Sequence, residues 1–108
     1  MKSDKVLSLL GFAAKAGKLS CGSFAATGSI RKGKAKVAVI SGDISEKSRK
    51  EICFYAAQKN IPVIILRDFD IQAVSSAVGR KCGILSVNDS SFAGAVIAAV
   101  QTGGNANE

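Results

Sequence analysis

The chain contains no histidine, so the side chain that most often moves protons near neutral pH is missing. Nucleophile pairs of the Ser–His and Cys–His kind are excluded with it. Cys21, Cys53 and Cys82 stand far apart, whereas a structural zinc site wants cysteines paired roughly two to four residues apart. They read as three small hydrophobes in a reducing compartment, and no metal or other cofactor is expected. Asp43, Glu46, Asp68, Asp70 and Asp89 all fall at turns or helix starts, where capping explains a carboxylate without catalysis. One string imitates a phosphate loop: Gly28-Ser29-Ile30-Arg31-Lys32-Gly33-Lys34 fits GxxxxGK, with Ala35 where Ser or Thr would hold the metal. A phosphate loop follows a strand and opens a helix, but this string closes a helix and leads into a strand. No GxGxxG is present. These residues point away from an enzyme.

They point instead to charge. Lys2, Lys5, Lys15, Lys18, Arg31, Lys32, Lys34 and Lys36 face a single acid, Asp4, in residues 1–36, while residues 37–108 hold seven bases and seven acids. The formal charge of +7 therefore lies entirely in the first third of the sequence. Such a partition implies a polyanionic partner. Arg31, Lys32 and Lys34 also follow a helix end, where a cation is stabilising in its own right. The segment Cys21-Gly22-Ser23-Phe24 leaves a short strand and opens a helix, offering backbone N–H groups and a dipole end to a phosphate or a base edge. Lys18 flanks it, and Arg31 lies two turns along the helix from Phe24. Arg80 and Lys81 precede the last strand. If the sheet brings their loop beside Gly22, the two make a basic, glycine-lined crevice suited to an irregular RNA.

The elements that must position these residues follow from periodicity. A helix over residues 4–16 carries Val6, Leu9, Leu10, Ala13 and Ala14 on one face, capped by Ser3 or Asp4 and stopped by Gly17. Leu19–Cys21 is a short strand. A helix then runs from Ser23 to about Lys32, opened by Ser23 or by Gly22 and Ser23 jointly, with Phe24, Ala26, Thr27 and Ile30 as its apolar face. Gly28 inside it suggests a close neighbour. Gly33 ends it. The apolar runs at 37–40, 63–66 and 84–87 read as strands covered on both faces. Between them lie a helix over 46–59, capped by Ser45 and stopped by Asn60, and a shorter one over 71–78, between Asp70 and Gly79. On the former, Ile52, Cys53, Tyr55, Ala56 and the Lys59 stem face inward, and Glu46 pairs with Lys50. Asn88 or Asp89 caps a last helix over 91–101, and residues 102–108 read as a disordered tail. At this length a single domain over residues 1–101 is expected. Its strands alternate with helices as in an α/β/α sandwich with a parallel or mixed sheet.

No apolar run reaches the roughly 20 residues of a membrane span. The start MKSDKVLSLLGFAAKAGK has a superficial likeness to a signal peptide, but Asp4 and Lys5 interrupt its front and Lys15 follows too soon. A cytoplasmic protein without a membrane partner is expected.

Several stretches together resemble a known family. LLGFAAKAGKLSCG, the run from Arg31 through Ile40 with the following Gly42-Asp43, the Ile61-Pro62-Val63 strand entry and AVGRKCGILSVNDSSFA are similar to the YlxQ-type bacterial branch of the L7Ae/L30e ribosomal proteins. The likeness covers about residues 4–100. It implies a four-stranded mixed sheet between helices and non-catalytic binding of RNA, often ribosomal, at kink-turns. In kink-turn binders the helix after the first strand opens with Gly and then presents Asn, Glu and Lys, which read sheared G·A pairs. Those positions fall on Gly22, Phe24, Ala25 and Gly28, and a family Thr on Thr27, so Gly and Thr are kept while the polar readers are replaced. The loop that cradles an extruded nucleotide corresponds to Arg80–Gly83. Phe24 offers a base-stacking face if it is exposed and a core residue if it is not.

The sequence thus predicts a ribosome-associated, basic RNA-binding protein, monomeric by preference. Its RNA site comprises Lys18, Gly22, Ser23, Phe24, Thr27, Arg31, Lys34, Arg80 and Lys81. Two other readings stay open. One is an oligomerising scaffold of the same fold, packed through Ala/Gly-rich helices; the other is a small-anion binder at the Gly22 helix start.

Overall fold

The computed structural model describes residues 4–105. Helical spacing of apolar residues produces α1 (Asp4–Lys15), and Gly17 turns the chain out of it at φ 74°, a conformation glycine adopts without strain. β1 (Leu19–Cys21), α2 (Ser23–Arg31) and β2 (Val37–Ser41) follow. The Ser45 hydroxyl then accepts from the Ser48 N–H to start α3 (Glu46–Gln58). After β3 (Val63–Leu66), Asp70 caps α4 (Ile71–Val78) through the Ala73 N–H at 2.8 Å, and Gly79 closes that helix in the left-handed region. β4 (Ile84–Val87) leads to α5 (Ser90–Asn105), opened by Asp89, whose carboxylate accepts from the Phe92 N–H. The Glu46–Lys50 pair forms at 3.3 Å.

The four strands lie in the order β1-β4-β2-β3, with β4 antiparallel to both neighbours and β3 parallel to β2. This is the mixed four-stranded sheet implied by the family resemblance. Alternation along the central strands divides two cores. Val37, Val39, Leu85 and Val87 pack under α1, α4 and α5, while Ala38, Ile40 and Ile84 pack under α2 and α3. The side chains of Leu10, Ile30, Ile52 and Leu85 are fully buried, each stabilising the fold by about 1.5–3 kcal/mol relative to exposure. The result is a three-layer α/β/α sandwich.

Several expectations change. β3 is an edge strand and its first three residues are only half-buried, so its apolar run does not mark cover on both faces. The α2 face contains Ala26 and Ile30 but not Phe24, which is 94% exposed. Residues on a helix advance by about 100° each, which sets Phe24 opposite Ala26. A Cβ on Gly28 would meet nothing within 4 Å, so no close neighbour accounts for that glycine. The Lys59 side chain is exposed, and Cys53 and Tyr55 are half-buried. α5 runs to Asn105, so residues 102–105 of the expected tail are helical. Ser3 and residues 106–108 lie outside the described residues.

Candidate nucleic-acid interface

Antiparallel pairing of β1 with β4 sets Cys21 against Leu85, and the Gly22 N–H donates to the Ile84 carbonyl at 2.8 Å. The start of α2 therefore lies beside the loop between α4 and β4, as the crevice requires. Gly22 is the N-cap at φ 98°, ψ 156°, and no side chain accepts from the helix start. The first-turn N–H groups are left without a side-chain acceptor, a dipole end suited to an anion. Phe24 projects into solvent from that first turn, and Ser23 is also exposed.

The partner loop is held from below. The Ser75 hydroxyl donates to the Cys82 carbonyl and accepts from the Cys82 N–H at 2.9 Å. The Ser41 N–H donates to the Gly83 carbonyl at 2.8 Å. A Cβ on Gly83 would lie 2.7 Å from Ile71, 2.8 Å from Ile44 and 3.0 Å from the Ser41 hydroxyl, so a larger residue here must displace those side chains. Asp43 adds a brace, its Oδ1 accepting from the Ser41 hydroxyl and from the Ile71 N–H, both at 2.9 Å. With the backbone so fixed, Arg80 and Lys81 stand exposed at the loop's tip. Cys82 is buried beneath them. Burial, and then the adjacent Cys21 thiol, push the Cys82 thiol up to about 12, against the opposing pull of the Gly22 amide and the Arg80 charge. It stays protonated at neutral pH and offers no nucleophile.

Other predicted members separate from this edge. Thr27 continues the Phe24 stripe one turn along α2, half-buried, and Arg31 lies a further turn on. Arg31 stands 5.8 Å from the centroid of the Tyr55 ring on α3, a cation–π contact that fixes it against the protein. Lys18 and Lys34 lie at the opposite end of the sheet. The Lys18 carbonyl accepts from the Asn88 N–H, and the Lys34 N–H donates to the Ser29 carbonyl. Four residues of extended chain put Lys18 about 13 Å from Gly22. The nine residues expected to form one site thus occupy one edge, one helix stripe and one distant end.

Sequence reasoning missed two features. The Asp43 side chain reaches across 28 positions to α4, and nothing in local spacing announces that. The Asn88 amide donates to the Ser20 hydroxyl, accepts from the buried Ser86 hydroxyl, and Ser20 meets Ser29 at 2.6 Å. This partly buried chain ties β1, α2 and β4 together. Among the described residues no cluster of His, Cys, Asp or Glu could hold a metal ion, and no helix is long and apolar enough to cross a membrane.

Comparison with known proteins agrees with the architecture. The model of the ribosomal protein L7Ae/L30e/S12e/Gadd45 family matches residues 4–96. The RNA-binding protein YlxQ of Enterococcus faecium is 28% identical over 90 residues, 83% of this chain and 85% of its own length. A Bacillus halodurans protein of unknown function superposes with a TM-score of 0.85 at 26% identity, over 90% of this chain and 97% of that one. The Giardia lamblia 15.5 kD RNA binding protein superposes with a TM-score of 0.75 at 17% identity, over 94% of this chain and 86% of its own, a likeness of fold alone.

Proposed function

From the premise that the chain belongs to the ribosomal protein L7Ae/L30e/S12e/Gadd45 family, we propose that it is a non-catalytic RNA-binding protein of the cytoplasm. In this reading it associates with ribosomal or other structured RNA and engages a kink-turn-like bend. The observation that carries the reading is the open start of α2 at Gly22, beside the Arg80–Lys81 loop and under an exposed Phe24. Backbone N–H groups and two cations supply phosphate contacts, and Phe24 supplies a face on which an unstacked base can lie. Phe24, Ala25 and Gly28 cannot make the oriented hydrogen bonds of Asn, Glu and Lys. Discrimination therefore comes from the shape of the bend and from stacking rather than from base-edge readout. The chain has no histidine, and the Cys82 thiol at this edge is held in its protonated form.

The reading is tested by comparing the wild-type protein with Arg80→Gln and Lys81→Gln on a kink-turn RNA over a range of salt. Each substitution should weaken binding and shallow the slope of log K against log salt by roughly 0.7–0.9, one phosphate contact apiece. Unchanged affinity and slope in both variants would remove this loop from the interface.

A further inference from the structure

The end of the molecule opposite Gly22 collects most of the lysines of the first third. α1 and α2 finish there and β1 and β2 begin there, which brings Lys15, Lys18, Lys32, Lys34 and Lys36 together, all exposed. Lys59, ending α3, joins them from the rim. The Lys36 N–H donates to the Val87 carbonyl, and the Asn88 N–H donates to the Lys18 carbonyl. Leu19 and Val37 both pair with Val87, so Lys18 and Lys36 are two strand spacings, about 10 Å, apart. The carboxylate of Asp89, which lies at this end, is occupied in capping α5. Asp43, Glu46, Asp68 and Asp70 all gather at the Gly22 end instead. The helix dipole accounts for Lys15, which ends α1, and for Lys32, the C-cap of α2. It does not account for Lys18, Lys34 and Lys36, which lie in the connections that lead into strands. The Ser29–Ser20–Asn88–Ser86 chain ties α2 and β1, whose connections present these lysines, to the end of β4.

We propose that this lysine pole is a second nucleic-acid surface, which grips the phosphate backbone of an RNA duplex while the Gly22 edge holds a bent RNA. Compact ammonium groups suit phosphate and carry no base readout. The Phe24 edge has the opposite character. With two such surfaces about 13 Å apart along the strand direction, the protein joins two RNA segments. The proposal rests on the RNA-binding reading of the Gly22 edge for its first segment, but not for its second.

The test uses a donor-labelled kink-turn RNA and an acceptor-labelled plain RNA duplex, with energy transfer reporting a ternary complex. Wild-type protein should give transfer. Lys18→Gln/Lys34→Gln/Lys36→Gln should lose it by loss of the duplex, its duplex-binding salt slope shallower by roughly two to three units, while the kink-turn remains bound. The matching triple Lys→Arg variant should restore transfer. Competition of the two RNAs for one site, or equal loss of both RNAs in the triple Gln variant, overturns the proposal. So does binding of the pole to anionic phospholipid vesicles in place of the duplex. A protein that binds the duplex through these lysines but ignores the kink-turn would refute the Gly22 reading and leave the pole standing. Binding of neither RNA refutes both.

Discussion

At the scale of single residues, Phe24 separates binding from stability. Its ring touches solvent rather than core, so Phe24→Ala should leave the urea midpoint unchanged within about 0.5 kcal/mol. If a base stacks on it, RNA affinity should fall by about 1–3 kcal/mol. A variant that lost stability and kept affinity would place the ring in a structural role instead. Cys82 makes a different prediction, read against pH. The unfolded chain releases a thiol proton from about pH 9, whereas the folded protein holds this one to about 12. The stability that Cys82 contributes is therefore complete below pH 9 and drains away as pH rises toward 12. Wild type should lose up to about 1.4 kcal/mol per pH unit more than Cys82→Ala across that window. Parallel pH profiles in denaturant titrations would show that the thiol is not shielded.

At the scale of elements, the brace of Asp43 sets the shape of the loop end. Its carboxylate holds the β2–α3 turn to the first N–H of α4, 28 residues away. A hydrogen bond to a charged group contributes about 1.5–3 kcal/mol. Asp43→Ala should cost about that much in chemical denaturation, and Asp43→Asn, which retains an acceptor, less. Equal stability in all three proteins would mean the brace is idle. This contact also marks how far the sequence could be read. Every helix and strand announced itself locally, through caps at Ser45, Asp70 and Asp89 and through stops at Gly17, Asn60 and Gly79. Local signals end where partners come from distant parts of the chain. The Asp43–Ile71 bond, the Ser75 clamp on Cys82 and the Asn88 network depend on strand order, which apolar runs do not encode. The Phe24 assignment was recoverable: Ala26 and Ile30 share one face of α2, and Phe24, two residues before Ala26, points the other way. β3 misled because an edge strand and a central strand can carry the same apolar run.

At the scale of the whole molecule, charge is arranged by position in space rather than by position in the chain. The first third of the sequence carries the full net charge, yet the mixed sheet sends Lys18, Lys34 and Lys36 to one end and brings Gly22 against a loop 60 residues later. The Gly22 edge adds Arg80, Lys81, an open helix start and an aromatic face at an end of mixed charge, where Asp43, Glu46, Asp68 and Asp70 stand with Lys47, Arg49 and Arg67. The opposite end is almost purely cationic. An interface built this way should respond to salt differently at its two ends, steeply at the lysine pole and more gently at the edge, where stacking and backbone amides share the load. In the proposed function the edge recognises a bent RNA. The most direct test is binding of the intact protein to a kink-turn RNA, beside the same RNA with its G·A pairs disrupted, at two salt concentrations. Tight binding to the first and marked weakening on disruption are expected at both salts. Equal, salt-sensitive affinity for the two RNAs, or no binding to either, would contradict this function.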